Sequence, residues 1–155
     1  MEPTLHALLP LALVGVLAGA CAAPARAQSP PDLATLADGY LAAERARQAE
    51  GAGVTAINAA LASLADGVVY EHPRVGAHIV GKDQLRTGMV NFLGTVRRPQ
   101  DDVRARVTGP GVVVLNLVQA FESRQGDGPW RPQRRTVVKV LEFDGPLIRR
   151  VIDYW

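Results

Sequence analysis

The sequence predicts an α+β fold, with helices packed on one face of an antiparallel sheet, and three observations predict it. Between residues 33 and 93, apolar side chains recur mainly at spacings of three and four, the period of a helix face. Beyond residue 102 the period falls to two, and turns bearing Gly and Pro divide the chain into strands. Helices first and a strand meander afterwards leave one sheet face for the helices to cover.

Residues 5 to 23, LHALLPLALVGVLAGACAA, carry no charge and lead into Ala25-Arg26-Ala27 and then Gln28. An apolar run closed by a small-x-small triplet is the pattern of a secretory signal peptide, so residues 1 to 27 read as a leader removed after Ala27, with the protein periplasmic or secreted. The basic residues that usually precede such a run are absent, since only Glu2 and His6 stand there. A second route is a lipoprotein signal ending at Cys21, the one case in which a membrane would be a partner. An uncleaved span is disfavoured by Pro10 and the small residues near Cys21. Cys21 is the only cysteine. A chain that has lost it has no disulfide, thiolate nucleophile or cysteine metal ligand.

Residues 28 to 31 form a short linker, and 32 to 155 are expected to be one domain. Removing the leader leaves about 128 residues, enough to bury roughly two thirds of the surface the unfolded chain exposes. Asp32 is placed to cap a first helix whose face carries Leu33, Leu36, Tyr40 and Leu41, and which runs out at Gly51 to Gly53. A second helix, with Ile57, Leu61 and Leu64 on one face, is expected to end at Gly67. The strand Val68 to His72 then turns Val68, Tyr70 and His72 to one side and Val69 and Glu71 to the other, until Pro73 stops it. A loop with an extended piece near Ala77 to Val80 precedes a third helix, Lys82 to Leu93, with Leu85, Met89 and Phe92 on its face.

Arg97 to Asp102 reads as a polar connection. Val103 to Thr108, Val112 to Glu122, Arg134 to Phe143 and Leu147 to Trp155 read as strands, separated by Gly109-Pro110-Gly111, Gly126 to Pro129 and Asp144-Gly145-Pro146. Val112 to Val118 is apolar on both faces, which points to a homodimer through the outer sheet face, because an inner face alone requires only alternation. Hydrophobic residues make up 48% and charged residues 21%, the usage of an ordinary globular chain. The net charge of +2 is spread over arginine pairs with no basic stripe interleaved with aromatics, which argues against nucleic acid as a partner.

Three stretches carry a resemblance: Leu64-Ala65-Asp66-Gly67-Val68-Val69-Tyr70-Glu71-His72-Pro73, Gly81-Lys82-Asp83-Gln84-Leu85-Arg86, and Arg150-Val151-Ile152-Asp153-Tyr154-Trp155. In the order helix, helix, strand, helix, strands, they resemble the nuclear transport factor two-like superfamily, especially its SnoaL-like polyketide cyclase and ketosteroid isomerase branches. The resemblance implies a cone-shaped, barrel-like α+β fold, with three N-terminal helices on a curved antiparallel sheet enclosing a mostly apolar pocket. Its members include isomerases, cyclases, dehydratases, epoxide hydrolases and proteins without catalysis, so the fold does not settle the chemistry.

By the same resemblance His72 stands where the isomerases place a catalytic aspartate before proline, and the last strand turns Val151, Asp153 and Trp155 into the cavity. An imidazole there could still move protons. The expectation is His72 as acid/base with Asp153 fixing its tautomer, and Tyr40, Tyr70 and Trp155 bounding the ligand. Lys139 falls where the isomerases carry a second, acidic oxyanion donor, and the Arg with two Asp of the epoxide hydrolases is not evident. No cofactor is implied, and Glu71, His72 and His78 lack the spacing of a metal site. The plainer readings are that His72 bonds backbone at a strand end, that Asp153 pairs with Arg149 or Arg150, and that Tyr40 and Trp155 are core. The functional expectation is a small-molecule pocket that binds a small, largely apolar ligand. The alternative is a cofactor-independent isomerase, dehydratase or hydrolase.

Overall fold

A computed structural model describes residues 32–155. The leader, its cleavage point, Cys21 and the linker lie outside the described residues. Helix α1 (Leu33–Gln48) starts where Asp32 accepts the Ala34 N–H at 3.0 Å and the Thr35 hydroxyl at 2.6 Å. Arg45 and Arg47 in its last turn sit favourably at the negative end of the helix dipole. Helix α2 (Val54–Ala62) stops earlier than its apolar spacing suggests, because Leu64 already belongs to strand β1 (Leu64–His72). Ile148 donates its N–H to the Ser63 carbonyl at 2.9 Å, and Leu64 lies opposite Ile148, so sheet pairing takes the residues that helical spacing had claimed. Asp66 and Gly67 fall in the irregular stretch of this strand, between the paired positions Leu64 and Val69.

Pro73 begins a single 3₁₀ turn, Pro73–Val75, and Gly76 closes it at φ 67°, in the left-handed region. Strand β2 (Ala77–Val80) folds back antiparallel on β1. Gly81, at φ 87°, gives its N–H to the Val68 carbonyl at 2.8 Å and turns the chain into α3 (Lys82–Asn91). An L side chain would be strained at that φ.

Strands β3 (Val96–Gly109), β4 (Val112–Ser123), β5 (Arg131–Asp144) and β6 (Leu147–Tyr154) follow as hairpins. Residues 97 to 102, read from sequence as a connection, are the first half of β3. This half is an edge strand, and its polar side chains pair across to β4: Arg97 with Glu122 at 2.6 Å and Gln119 with Asp101 at 3.0 Å. Its break is a register shift between Arg97 and Gln100, where Arg98 has φ 53° and Pro99 needs no partner for a missing N–H.

The sheet order is β2-β1-β6-β5-β4-β3. Four of its pairings are antiparallel, but β1 runs parallel to β6, so the sheet is mixed and open where an antiparallel one was expected. The first and last strands meet because the three helices carry the chain across one face in between. Helix α1 packs over β3 and β4, and α3 over β1 and β2. The core between these layers holds Ile57, Leu61, Leu64, Val113, Leu115, Leu117, Leu141, Ile148 and Val151, all essentially inaccessible. Strand β4 turns Val113, Leu115 and Leu117 inward while Val112, Val114 and Val118 stay half-covered on the outer face. Its apolarity on both faces is therefore real.

Candidate functional site

The parallel seam between β1 and β6 sets the site, since Tyr70 lies opposite Val151 and both strands alternate inward from there. Val68, Tyr70 and His72 face the helices, as do Val151, Asp153 and, just beyond the strand, Trp155. On the other side of β6, Asp153 lies directly across from Lys139 of β5. Lys139 Nζ is 2.5 Å from Asp153 Oδ1, and only 5% and 11% of the two side chains are exposed. Tyr70 donates its hydroxyl to Asp153 Oδ2 at 3.2 Å. Lys139 Nζ also lies 5.7 Å from the ring centre of the buried Tyr40 on α1. The charge of the buried carboxylate is thus balanced by one cation, in an ion pair whose angles leave Oδ1 outside hydrogen-bond geometry, while Oδ2 accepts from one phenol.

Both tyrosines are held well above the usual phenol range, first by burial and then by nearby negative charge from Asp153 and Glu44. They remain hydrogen-bond donors through the whole physiological range.

The His72–Asp153 pair expected from sequence does not form. Asp153 is engaged instead by Lys139, directly opposite it on β5, and by the Tyr70 hydroxyl. Nor does Asp153 pair with Arg149 or Arg150: those outward residues bond Glu142 and Glu71 on the far face of the sheet. His72 is buried, at 4% exposure, with its ring centre 4.1 Å from that of Trp155 and neither ring nitrogen hydrogen-bonded among the described residues. The backbone bond suggested by the plainer reading is therefore not made. Glu71 and His78, 3.2 Å apart, are on the outer face, so the three residues considered for a metal point in opposite directions. Among the described residues no group of three His, Cys, Asp or Glu could hold a metal ion.

Above this floor opens a cleft of about 670 Å³ between α1, α3 and the sheet. Tyr40, Tyr70 and Trp155 line it, while His72 and Asp153 lie beneath. Ile79, Leu85, Met89 and Phe92 form one wall and Phe121 and Trp155 the other. Apolar walls of this kind are the general form of a small-molecule site, and here polar residues, among them Gln48, Asn91, Thr95, Ser123 and Gln125, complete the lining. Arg47, a largely buried part of the lining, is clamped by Glu44 through two bonds, of 2.7 and 2.6 Å.

Arg135 was missed by sequence reasoning. Its guanidinium lies 3.7 Å above the Trp155 ring and 5.0 Å from that of Phe121, and its Nε donates to Gln119 Oε1 at 3.0 Å. Alternation along β5 contains the signal, because Arg135 and Lys139 share a face with the buried Val137 and Leu141.

No protein-family model matches the sequence, and no curated protein is significantly similar to it. Solved structures do share the fold. A candidate SnoaL-like polyketide cyclase from Shewanella putrefaciens superposes with a TM-score of 0.67 at 12% identity, covering 79% of this chain and 79% of its own. A hypothetical protein of ketosteroid isomerase-like fold from Catenulispora acidiphila, in complex with trimethylamine, gives 0.61 at 15% identity over 82% of this chain and 87% of its own. An LEH-like epoxide hydrolase from M. tuberculosis gives 0.61 at 20% identity, over 78% and 76%. At these identities the likeness is one of fold, and the fold is the one the three sequence stretches resemble.

Proposed function

We propose that this chain, built on the fold shared by SnoaL-like and ketosteroid isomerase-like proteins, is an exported protein whose cleft holds a small, largely apolar ligand without turning it over. The observation that carries the reading is the state of the floor. Asp153 is consumed by Lys139 at 2.5 Å and by the Tyr70 hydroxyl, and His72 is shut beneath Trp155, so among the described residues no unengaged carboxylate or imidazole lines the cleft. Carboxylates and imidazoles are the groups that most often carry general acid/base catalysis near neutral pH, and the two tyrosines that do line the cleft are held in their protonated form by burial. A cleft with apolar walls and tyrosine donors needs only to bind. Native mass spectrometry of protein purified from the periplasm tests it: a retained small molecule of unchanged mass supports the reading. Turnover of any compound that falls on His72→Ala substitution refutes it.

One observation favours the alternative, a cofactor-independent isomerase, dehydratase or hydrolase with His72 as acid/base. Both imidazole nitrogens are buried without a partner among the described residues, a costly arrangement that a functional role would explain. In that reading Trp155 must move to admit substrate, and Asp153 acts on the site through Tyr70. Export is proposed from the leader, and N-terminal sequencing beginning at Gln28 would support cleavage. An acylated Cys21 would indicate the lipoprotein route. The homodimer is proposed from the outer face, where Val107, Val114, Val138 and Val140 occupy adjoining positions of β3, β4 and β5.

A further inference from the structure

The cleft is unbalanced in charge. Its lining holds one acid, Glu44, and three arginines, Arg47, Arg124 and Arg135. Glu44 is spent on Arg47. Arg124 is tied to the Gly94 carbonyl at 3.0 Å and lies over Trp130 at the rim. Arg135 has no carboxylate within 4 Å among the described residues, and its one hydrogen bond to the protein leaves from Nε to the neutral Gln119. Its face is covered by Trp155, 3.7 Å away, which leaves the edge of the fork, where the two terminal amino groups donate, clear of the ring.

We propose that the cleft selects ligands bearing a carboxylate, received edge-on by Arg135, with an aromatic or aliphatic body lying between Trp155, Phe121 and the apolar side of α3. A stacked guanidinium is pre-organised for two parallel N–H bonds to a planar anion, and such charge-assisted pairs are the strong ones. A half-buried cation without a counter-ion is also desolvated at a cost that a bound anion recovers. Burial pulls the Arg135 pKa down from its ordinary value, while Asp153 pulls it up, in line with a cation lacking a close partner. Among the described residues Arg135 is the one lining cation not already bonded to a carboxylate or carbonyl, which fits a single negative charge better than a doubly charged phosphate. The volume of about 670 Å³ accommodates a body of drug-like size.

The inference rests on the cleft being a ligand site, and the test separates the two. Isothermal titration calorimetry would compare indoleacetate with indoleacetamide, and decanoate with decanol, on the wild type and on Arg135→Gln, with thermal melting to verify that the variant is folded. The expected result is a preference of about 10- to 100-fold for at least one acid over its neutral partner in the wild type, the range for hydrogen bonds to charged groups, collapsing toward unity in the variant. Equal binding of acid and neutral partner would overturn the carboxylate assignment while leaving the ligand site standing. A preference that survives Arg135→Gln would overturn Arg135 as the receptor. Failure of all four compounds to bind at millimolar concentration would count against the cleft itself and remove the proposal with it.

Discussion

Replacing Lys139 with methionine removes the cation from beside Asp153 while keeping most of the buried stem. At the observed separation of 2.5 Å, the gross attraction of the pair is about 7 kcal/mol for an effective dielectric near 20. Desolvating two charges costs several kcal/mol each, so the intact pair is expected to contribute little net stability. Breaking it is different, because a carboxylate only 11% exposed keeps the Tyr70 hydroxyl as its sole close donor among the described residues. The single variant should lose about 3–5 kcal/mol. Adding Asp153→Asn removes the orphaned charge and retains an acceptor for Tyr70, so the double variant should return to within about 1 kcal/mol of wild type. Urea denaturation reads this directly, with a midpoint fall of about 2 M for the single variant at a slope near 2 kcal/mol per molar. A single variant within about 1 kcal/mol of wild type, or a double variant as unstable as the sum of the singles, would refute the buried pair as described.

Three further predictions follow from named contacts. Glu71 accepts from Arg150 at 3.0 and 2.6 Å, and these bonds first of all, with His78 beside it, hold its carboxyl below the ordinary glutamate range. A depressed carboxyl contributes stability that is full above its unfolded pKa and is lost as pH falls through the folded one, so Glu71→Gln should flatten the acid side of the stability curve. An unchanged acid slope in urea midpoints would contradict this. His72→Leu deletes two unsatisfied nitrogens in a nearly isosteric way, so the melting temperature should hold or rise, by about 1–2 kcal/mol in stability. A loss of similar size would mean that the nitrogens have partners. Val107, 67% exposed on the outer face, should tolerate glutamate without loss of fold, yet Val107→Glu should halve the mass measured by light scattering if that face joins two copies. A mass unchanged from a dimeric wild type would move the interface elsewhere.

The comparison of sequence with structure turns on how far apart the interacting residues lie in the chain. The Asp32 cap, the inward alternation of Val68, Tyr70 and His72, the turn at Gly81 and the two-sided β4 were all legible, since each depends on neighbours within a turn or a hairpin. The extent of α2 and the first half of β3 were not. Leu64 satisfies helical spacing and sheet pairing equally, and tertiary pairing decides between them. Residues 97 to 102 lack the apolar pattern of a strand because an edge strand can pair polar side chains across to its neighbour instead.

The site divides in the same way. That Tyr40, Tyr70 and Trp155 should bound a pocket, and that Asp153 should face inward, could be read from alternation and from the resemblance of three short stretches. The partner of Asp153 could not, because it depends on which residue of β5 lies opposite it, and Lys139 holds that place through a register set by the hairpin between β5 and β6. His72 stays unpaired with Asp153 although the parallel seam runs from Tyr70 opposite Val151 to Glu71 opposite Ile152, because the imidazole packs on Trp155 while the carboxylate is taken by Lys139 and Tyr70. Sequence alone determined the fold class and the inward faces, which follow from local period and burial. Only the tertiary structure decided which polar groups meet, because the Tyr70 hydroxyl and Asp153, 83 positions apart, are brought to hydrogen-bond distance by strand order and register.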